Sequence, residues 1–215
     1  MKIIALIAIC GFAGAAQASP LIQTQSFTGI PDYDQTFTFN QFDSALGTLT
    51  GINVTLQLDI SGGFLGVDND GIDPAVVNVE FGASGILTSL PGLFLSLTTS
   101  NSATFNLAAD DLDGPGVQTT GPDYDELSGV ATSSSTSSAI LAAFFSNYIG
   151  LGTFDILADI NQVIDFGGVS GVAGQFDPQV ADIIVTVGYK YDPIPAPGSM
   201  ALLGLGGLIA TRRRR

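Results

Sequence analysis

From Ile183 to Tyr191 the chain alternates with a period of two. Ile183, Val185, Val187, Tyr189 and Tyr191 fall in one phase. Asp182, Thr186, Gly188 and Lys190 fall in the other, with Ile184 the one apolar intruder. A helix would scatter these residues around its axis, whereas a strand puts each set on its own face. The same alternation runs through Gly51 to Ile60, where Ile52, Val54, Leu56, Leu58 and Ile60 oppose Asn53, Thr55, Gln57 and Asp59. Phe37 and Phe39, Val77, Val79 and Phe81, Leu93, Leu95 and Leu97, Phe105 and Leu107, and Phe154, Ile156, Ala158 and Ile160 form further sets. One-sided alternation belongs to antiparallel strands with one face on a core and one in water. Clusters of Gly, Asn, Asp, Pro and Ser separate the sets and supply turns. The pattern predicts an all-β fold, an antiparallel β-sandwich of jelly-roll-like type with eight or so strands. The Ser/Thr run from Thr132 to Ser138 is expected to be a loop or a weak edge strand. Ala139 to Phe145 is the one stretch expected to form a helical turn.

Both ends of the chain depart from this pattern. Met1-Lys2, an apolar stretch from Ile3 to Ala16 and Ala16-Gln17-Ala18 have the order of a secretory signal peptide. Residues 1–18 are therefore expected to be removed, with Ala16 and Ala18 at the cleavage site and Ser19 the new N-terminus. Residues 193–215 read as a proline-rich linker, an apolar run from Met200 to Ala210, and Arg212, Arg213, Arg214 and Arg215. A helix over 199–211 spans roughly 20 Å, shorter than the roughly 30 Å hydrocarbon core, and the arginines can snorkel to recover part of the mismatch. They are expected to stop on the cytoplasmic side, leaving residues 19–192 outside the membrane.

Charge and missing residue types narrow the function. Residues 19–192 carry all 20 acidic residues and one basic residue, Lys190, for a net charge of −19. Such a surface cannot neutralise phosphates, so nucleic acid is excluded as a partner, and it favours divalent cations. The chain has no His and no Trp, and Cys10 lies within the expected signal peptide. A Ser-His-Asp triad, a cysteine nucleophile and the usual zinc site are thus absent. No glycine-rich phosphate loop precedes a helical pattern.

Carboxylates are the chemistry that remains. Three acidic runs stand out: Asp68-Asn69-Asp70-Gly71-Ile72-Asp73, Asp110-Asp111-Leu112-Asp113-Gly114 and Asp123-Tyr124-Asp125-Glu126. Alternating Asp residues ending in Gly supply part of what Ca²⁺ requires, although none completes an EF-hand loop. Asp68, Asp70 and Asp73 are the first choice for a Ca²⁺ site; Asp, Asn and Gly are also ordinary turn formers. A glycosidase needs two carboxylates roughly 5 to 9.5 Å apart, a condition that 20 acids meet too easily to be informative.

The tail, with Pro195-Ala196-Pro197 ahead of the apolar run and the four arginines, resembles the PEP-CTERM sorting signal of Gram-negative bacteria. Ala196 stands where the type motif has Glu. The resemblance implies handling by an exosortase, a membrane transpeptidase-like enzyme, after signal peptidase has acted. Thr36-Phe-Thr-Phe-Asn-Gln-Phe-Asp43, Leu46-Gly-Thr-Leu-Thr-Gly-Ile-Asn-Val-Thr-Leu56 and the closing strand with Tyr189-Lys190-Tyr191 are similar to the choice-of-anchor E extracellular domain. That resemblance implies surface display and carries no established activity. Three functions therefore stand: a non-enzymatic structural or adhesive surface protein, a module binding Ca²⁺ or exopolysaccharide, and, more remotely, a carboxylate-based glycoside hydrolase.

Overall fold

The computed structural model describes residues 19–89 and 91–194. The expected signal peptide up to Ala18, the Pro195-Ala196-Pro197 motif, the 199–211 helix and Arg212 to Arg215 lie outside them. Among the described residues no helix is long and apolar enough to cross a membrane.

Eleven strands follow in chain order: β1 (Leu21–Gly29), β2 (Tyr33–Asn40), β3 (Gly47–Ser61), β4 (Phe64–Asn69), β5 (Ala75–Ser89), β6 (Phe94–Leu107), β7 (Tyr124–Ser128), β8 (Thr132–Ala139), β9 (Thr153–Asp165), β10 (Val172–Asp177) and β11 (Val180–Pro193). All their pairings are antiparallel. They build a front sheet ordered β1-β11-β3-β8, a back sheet ordered β2-β9-β5-β6, and a smaller cap sheet ordered β10-β4-β7. The protein is an all-β, antiparallel sandwich. The Ser/Thr run becomes β8, an edge strand of the front sheet. The helical turn is a short 3₁₀ segment at Ala142–Asn147, displaced from the expected 139–145 because Ala139 still pairs with Asn53.

Period-two alternation makes the main core. Val54, Leu56, Leu58, Ile183, Val185 and Val187 from the front sheet meet Phe37, Phe39, Ala83, Leu87, Ile156 and Ile160 from the back sheet, all buried. Full burial of each such aliphatic or aromatic side chain contributes about 1.5–3 kcal/mol. One end of this core is closed by aromatic rings. Phe42 lies 5.7 Å from Tyr189 and 5.2 Å from Tyr191 by ring centroids, and Tyr148 meets Phe154 edge-on at 4.9 Å. The Tyr189 hydroxyl donates to the Asn40 carbonyl at 2.9 Å, which satisfies the one polar atom of a fully buried ring. Beside it, the Asp43 carboxylate caps a 3₁₀ turn at Ser44–Leu46. Gly47 then passes so close to the Asp192 carbonyl that a Cβ would overlap it.

The front and cap sheets form one bent ribbon. β3 pairs with β11 from Gly47↔Pro193 to Ser61↔Val180, and β4 pairs with β10 from Phe64↔Asp177 to Asn69↔Val172. The bend falls at Gly62-Gly63 opposite Pro178-Gln179. Gly63 has φ +70° and lies against the Asp177 carbonyl, where a side chain would collide with backbone. Beyond the bend, Leu65 and Val67 pack on Val77, Val79, Phe81, Phe105 and Leu107 of the back sheet in a second, smaller core. Leu21 pairs with Tyr189, so β1 starts where β11 ends. Asp68 lies at the other extreme of the ribbon, next to the last residue of β4.

Candidate functional site

The far end of the ribbon collects the acidic runs. Asn69, buried at the end of β4, accepts from the Gly71 amide at 3.1 Å and donates to the Asp73 and Ala108 carbonyls at 2.9 and 2.6 Å. This fixes the turn after β4 against the segment after β6. The Asn69 amide donates to the Asp123 carbonyl, the Ala108 amide to the Pro122 carbonyl and the Asp110 amide to the Gly71 carbonyl. Three stretches distant in sequence are thereby tied together.

Carboxylates are oriented by backbone amides of the same loops. Asp123 Oδ2 accepts from the Asp111 amide at 2.9 Å, and Asp110 Oδ1 from the Leu112 amide at 2.9 Å. Asp68 Oδ2 accepts from the Gln118 amide at 2.6 Å, and Asp70 Oδ2 from the Gly116 amide at 3.1 Å. The outcome is that Asp110, Asp111, Asp113 and Asp123 each bring an oxygen to within 4.8 Å of the others. Asp123 is 1% exposed and so is Asp68. Each of these two keeps one oxygen, Oδ1, buried and without a hydrogen-bond partner. Lys190 is the one basic residue of the described chain, and it sits at the opposite end of the ribbon.

The electrostatics follow from this crowding. Burial pushes the Asp68 carboxyl above its ordinary range; the Gln118 amide opposes the shift, and Asp123 and Asp70 add to it. Asp113 is raised as well, by desolvation and then by Asp111, Asp123, Asp68 and Asp110. Such a set of hard oxygens is chemically suited to holding a proton or a hard cation.

The sequence placed the site at Asp68, Asp70 and Asp73. Asp68 feels the charge of Asp123, and Asp70 braces the 114–118 loop by accepting from the Gly116 amide. Asp73 is exposed, its backbone carbonyl serves Asn69, and its side chain is outside the four-carboxylate group. The carboxylates whose oxygens converge are Asp110, Asp111 and Asp113 of the second run with Asp123 of the third. Asp123 immediately precedes β7, and Asp125 and Glu126 lie on that strand. Gly121-Pro122 is the sequence signal for this turn: Gly121 takes φ +118°, and Asp123 then accepts from the Asp111 amide of the second run.

Another pair of carboxylates, Asp59 and Asp182, sits directly opposite across β3 and β11 beside a shallow depression of about 470 Å³. Asp59 accepts from the Gln57 amide group and Asp182 from the Thr28 hydroxyl, so both belong to the polar face of the front sheet.

The chain matches no family model and no curated relative. Among solved structures it is similar to chains from viruses and virus particles. One is from an infectious bursal disease virus subviral particle, at 16% identity and TM-score 0.14, covering 98% of this chain and 54% of that one. Another is from turnip yellow mosaic virus, at 9% identity and TM-score 0.15, covering 92% of each chain. A third, from an IBDV viral particle, has 11% identity and TM-score 0.23; it covers 88% of this chain, which spans 40% of that one.

Proposed function

We propose that this chain is an exported cell-surface or extracellular-matrix protein whose sandwich serves a structural or adhesive role without catalysing a reaction. The observation that carries this reading is that β1 begins and β11 ends at the same end of the front sheet, with Leu21 paired to Tyr189. A domain tethered through Pro193 and freed at Ser19 then stands on its tether with its acidic loops farthest from it. The alternation of strands between front and back sheets supports a jelly-roll-like reading of the sandwich. In this reading signal peptidase cuts after Ala18. The 199–211 helix holds the chain in the inner membrane, Arg212 to Arg215 stay cytoplasmic, and an exosortase-type enzyme reads Pro195-Ala196-Pro197 before release to the surface.

The test is expression of the full chain in Gram-negative hosts with and without an exosortase. The expected result is a mature N-terminus at Ser19 by mass spectrometry and surface labelling that requires the exosortase. A chain that retains Met1 in the cytoplasm, or that reaches the surface equally in both hosts, overturns the reading.

A further inference from the structure

We propose that Asp110, Asp111, Asp113 and Asp123, backed by Asp68, bind one hard divalent cation of the Ca²⁺ class and so lock the loops at the far end of the sandwich. The inference concerns the folded domain and is independent of where the chain is displayed.

Four carboxylates within 4.8 Å do not by themselves make a site, because exposed acids cluster freely in turns. Asp123 supplies the second observation. Its side chain is 1% exposed, and Oδ1 has no donor while Oδ2 takes the Asp111 amide. Gly121 shows where that bare oxygen points: a Cβ on Gly121 would come within 2.5 Å of Asp123 Oδ1 and 2.8 Å of Asp111 Oδ2. The unpartnered oxygen therefore shares one small space with a carboxylate oxygen of the cluster. Asp68 Oδ1 is equally buried and unpartnered; Asp123 acts electrostatically on Asp68, and Asp68 on Asp113.

A buried anionic oxygen without a donor is costly, and crowding further anions around it raises the cost. The usual remedy is a basic side chain, and Lys190 at the opposite end of the ribbon is the one such residue in the described chain. A single proton satisfies one oxygen and leaves the neighbouring carboxylates repelling one another. One divalent cation serves all of them. With oxygen the sole donor type, the soft and imidazole-seeking metals are disfavoured. Ca²⁺ takes six to eight oxygens in flexible geometry, whereas Mg²⁺ demands a tight octahedron and keeps its water. Carboxylates that come from one irregular connection between β6 and β7, backed by Asp68 on β4, fit the former.

The experiment is calorimetric titration of the full chain, stripped with chelator, with CaCl₂ and in parallel with MgCl₂ at matched ionic strength. Melting curves are recorded under the same conditions. The expected result is one Ca²⁺ per chain and a rise in melting temperature that Mg²⁺ does not reproduce. Asp113 is exposed and repelled by its acidic neighbours, so Asp113→Asn raises the metal-free melting temperature slightly while weakening Ca²⁺ binding about tenfold or more, since affinity follows ligand charge. Asp123→Asn abolishes binding, and Asp73→Asn leaves it at the wild-type value. The proposal is overturned by any of three results. One is the absence of binding heat in the wild type. Another is an equal shift with Mg²⁺, which marks plain screening. The third is a loss in Asp73→Asn as large as in Asp113→Asn.

Discussion

The two halves of the sandwich solve the same packing problem with different materials. Near Pro193 the front and back sheets have four strands each, and their core is built from Phe, Leu, Ile, Val, Tyr and Ala side chains. Past the bend the three-stranded cap sheet brings only Leu65 and Val67 as fully buried apolar groups, and its outer end is closed by carboxylates and backbone amides. Apolar burial is non-directional and needs no partner. Buried carboxylates are held only if each oxygen finds a donor, a proton or a cation. One half is therefore stable by composition, and the other depends on its surroundings.

Cavity formation separates the halves most sharply. Phe39→Ala removes a fully buried ring from the tail-side core and is expected to cost about 3–5 kcal/mol in urea unfolding. Leu65→Ala should cost about 2–5 kcal/mol. Its hydrogen-exchange losses should be confined to β4, β7 and β10, while β3 and β11 keep their protection. Uniform loss in both variants would make the sandwich a single cooperative unit and dissolve the distinction.

Next in size is the bend. Gly63→Ala forces a side chain into a left-handed conformation and onto the Asp177 backbone, and about 1–3 kcal/mol of destabilisation is expected from its denaturation midpoint. At the same bend Gln179 is 1% exposed with neither side-chain polar atom partnered. Gln179→Met removes that desolvation burden and should raise stability by about 1 kcal/mol. A loss of stability instead would mean that the amide has a partner in solution.

The smallest effect is alkaline. The Tyr33 phenol in the tail-side half and the Tyr124 phenol in the cap are both pushed up to about 12. Burial comes first in each case. For Tyr33 the second cause is Asp182 alone; for Tyr124 it is Glu126, as bond partner and charge, followed by Asp125 and Asp68. A phenol raised in the folded state keeps its proton where the unfolded chain has lost it. The stability it contributes is complete below pH 10 and is lost as pH rises from 10 toward 12. Phenolate absorbance should show both ionising late. Strong salt should bring Tyr124 down further than Tyr33, because it screens the larger set of charges.

How much of this could be read from the sequence follows the same division. The tail-side strands announce themselves, since Ile183 to Tyr191 and Ile52 to Ile60 alternate with hardly a break. β6 was visible only as two pieces, because polar Thr99 and Asn101 interrupt the phase. Thr99 keeps the phase by burying its hydroxyl on the Leu58 carbonyl. β4, β7 and β10 are five or six residues long, and Gly, Asp and Gln dilute their apolar signal below what periodicity can register. The acidic site was legible as a composition and not as a constellation. Local spacing favours Asp68, Asp70 and Asp73, but the group that converges joins Asp110, Asp111 and Asp113 to Asp123 at the two ends of the β6–β7 connection, which contacts with Asn69 and Gly71 fold back on itself.

β11 lies inside its sheet, paired to β1 along one side and β3 along the other, and the chain continues from it through Pro193. Tension arriving along the chain from Pro193 would act along the strand. Every bond of both ladders would be strained together in shear, and none could be unzipped in turn. The interval before such a strand gives way is set by the unfolding rate rather than by equilibrium stability. A domain built this way resists a steady pull for longer than its free energy alone would suggest, and the resistance resides in β11, the strand that ends at Pro193.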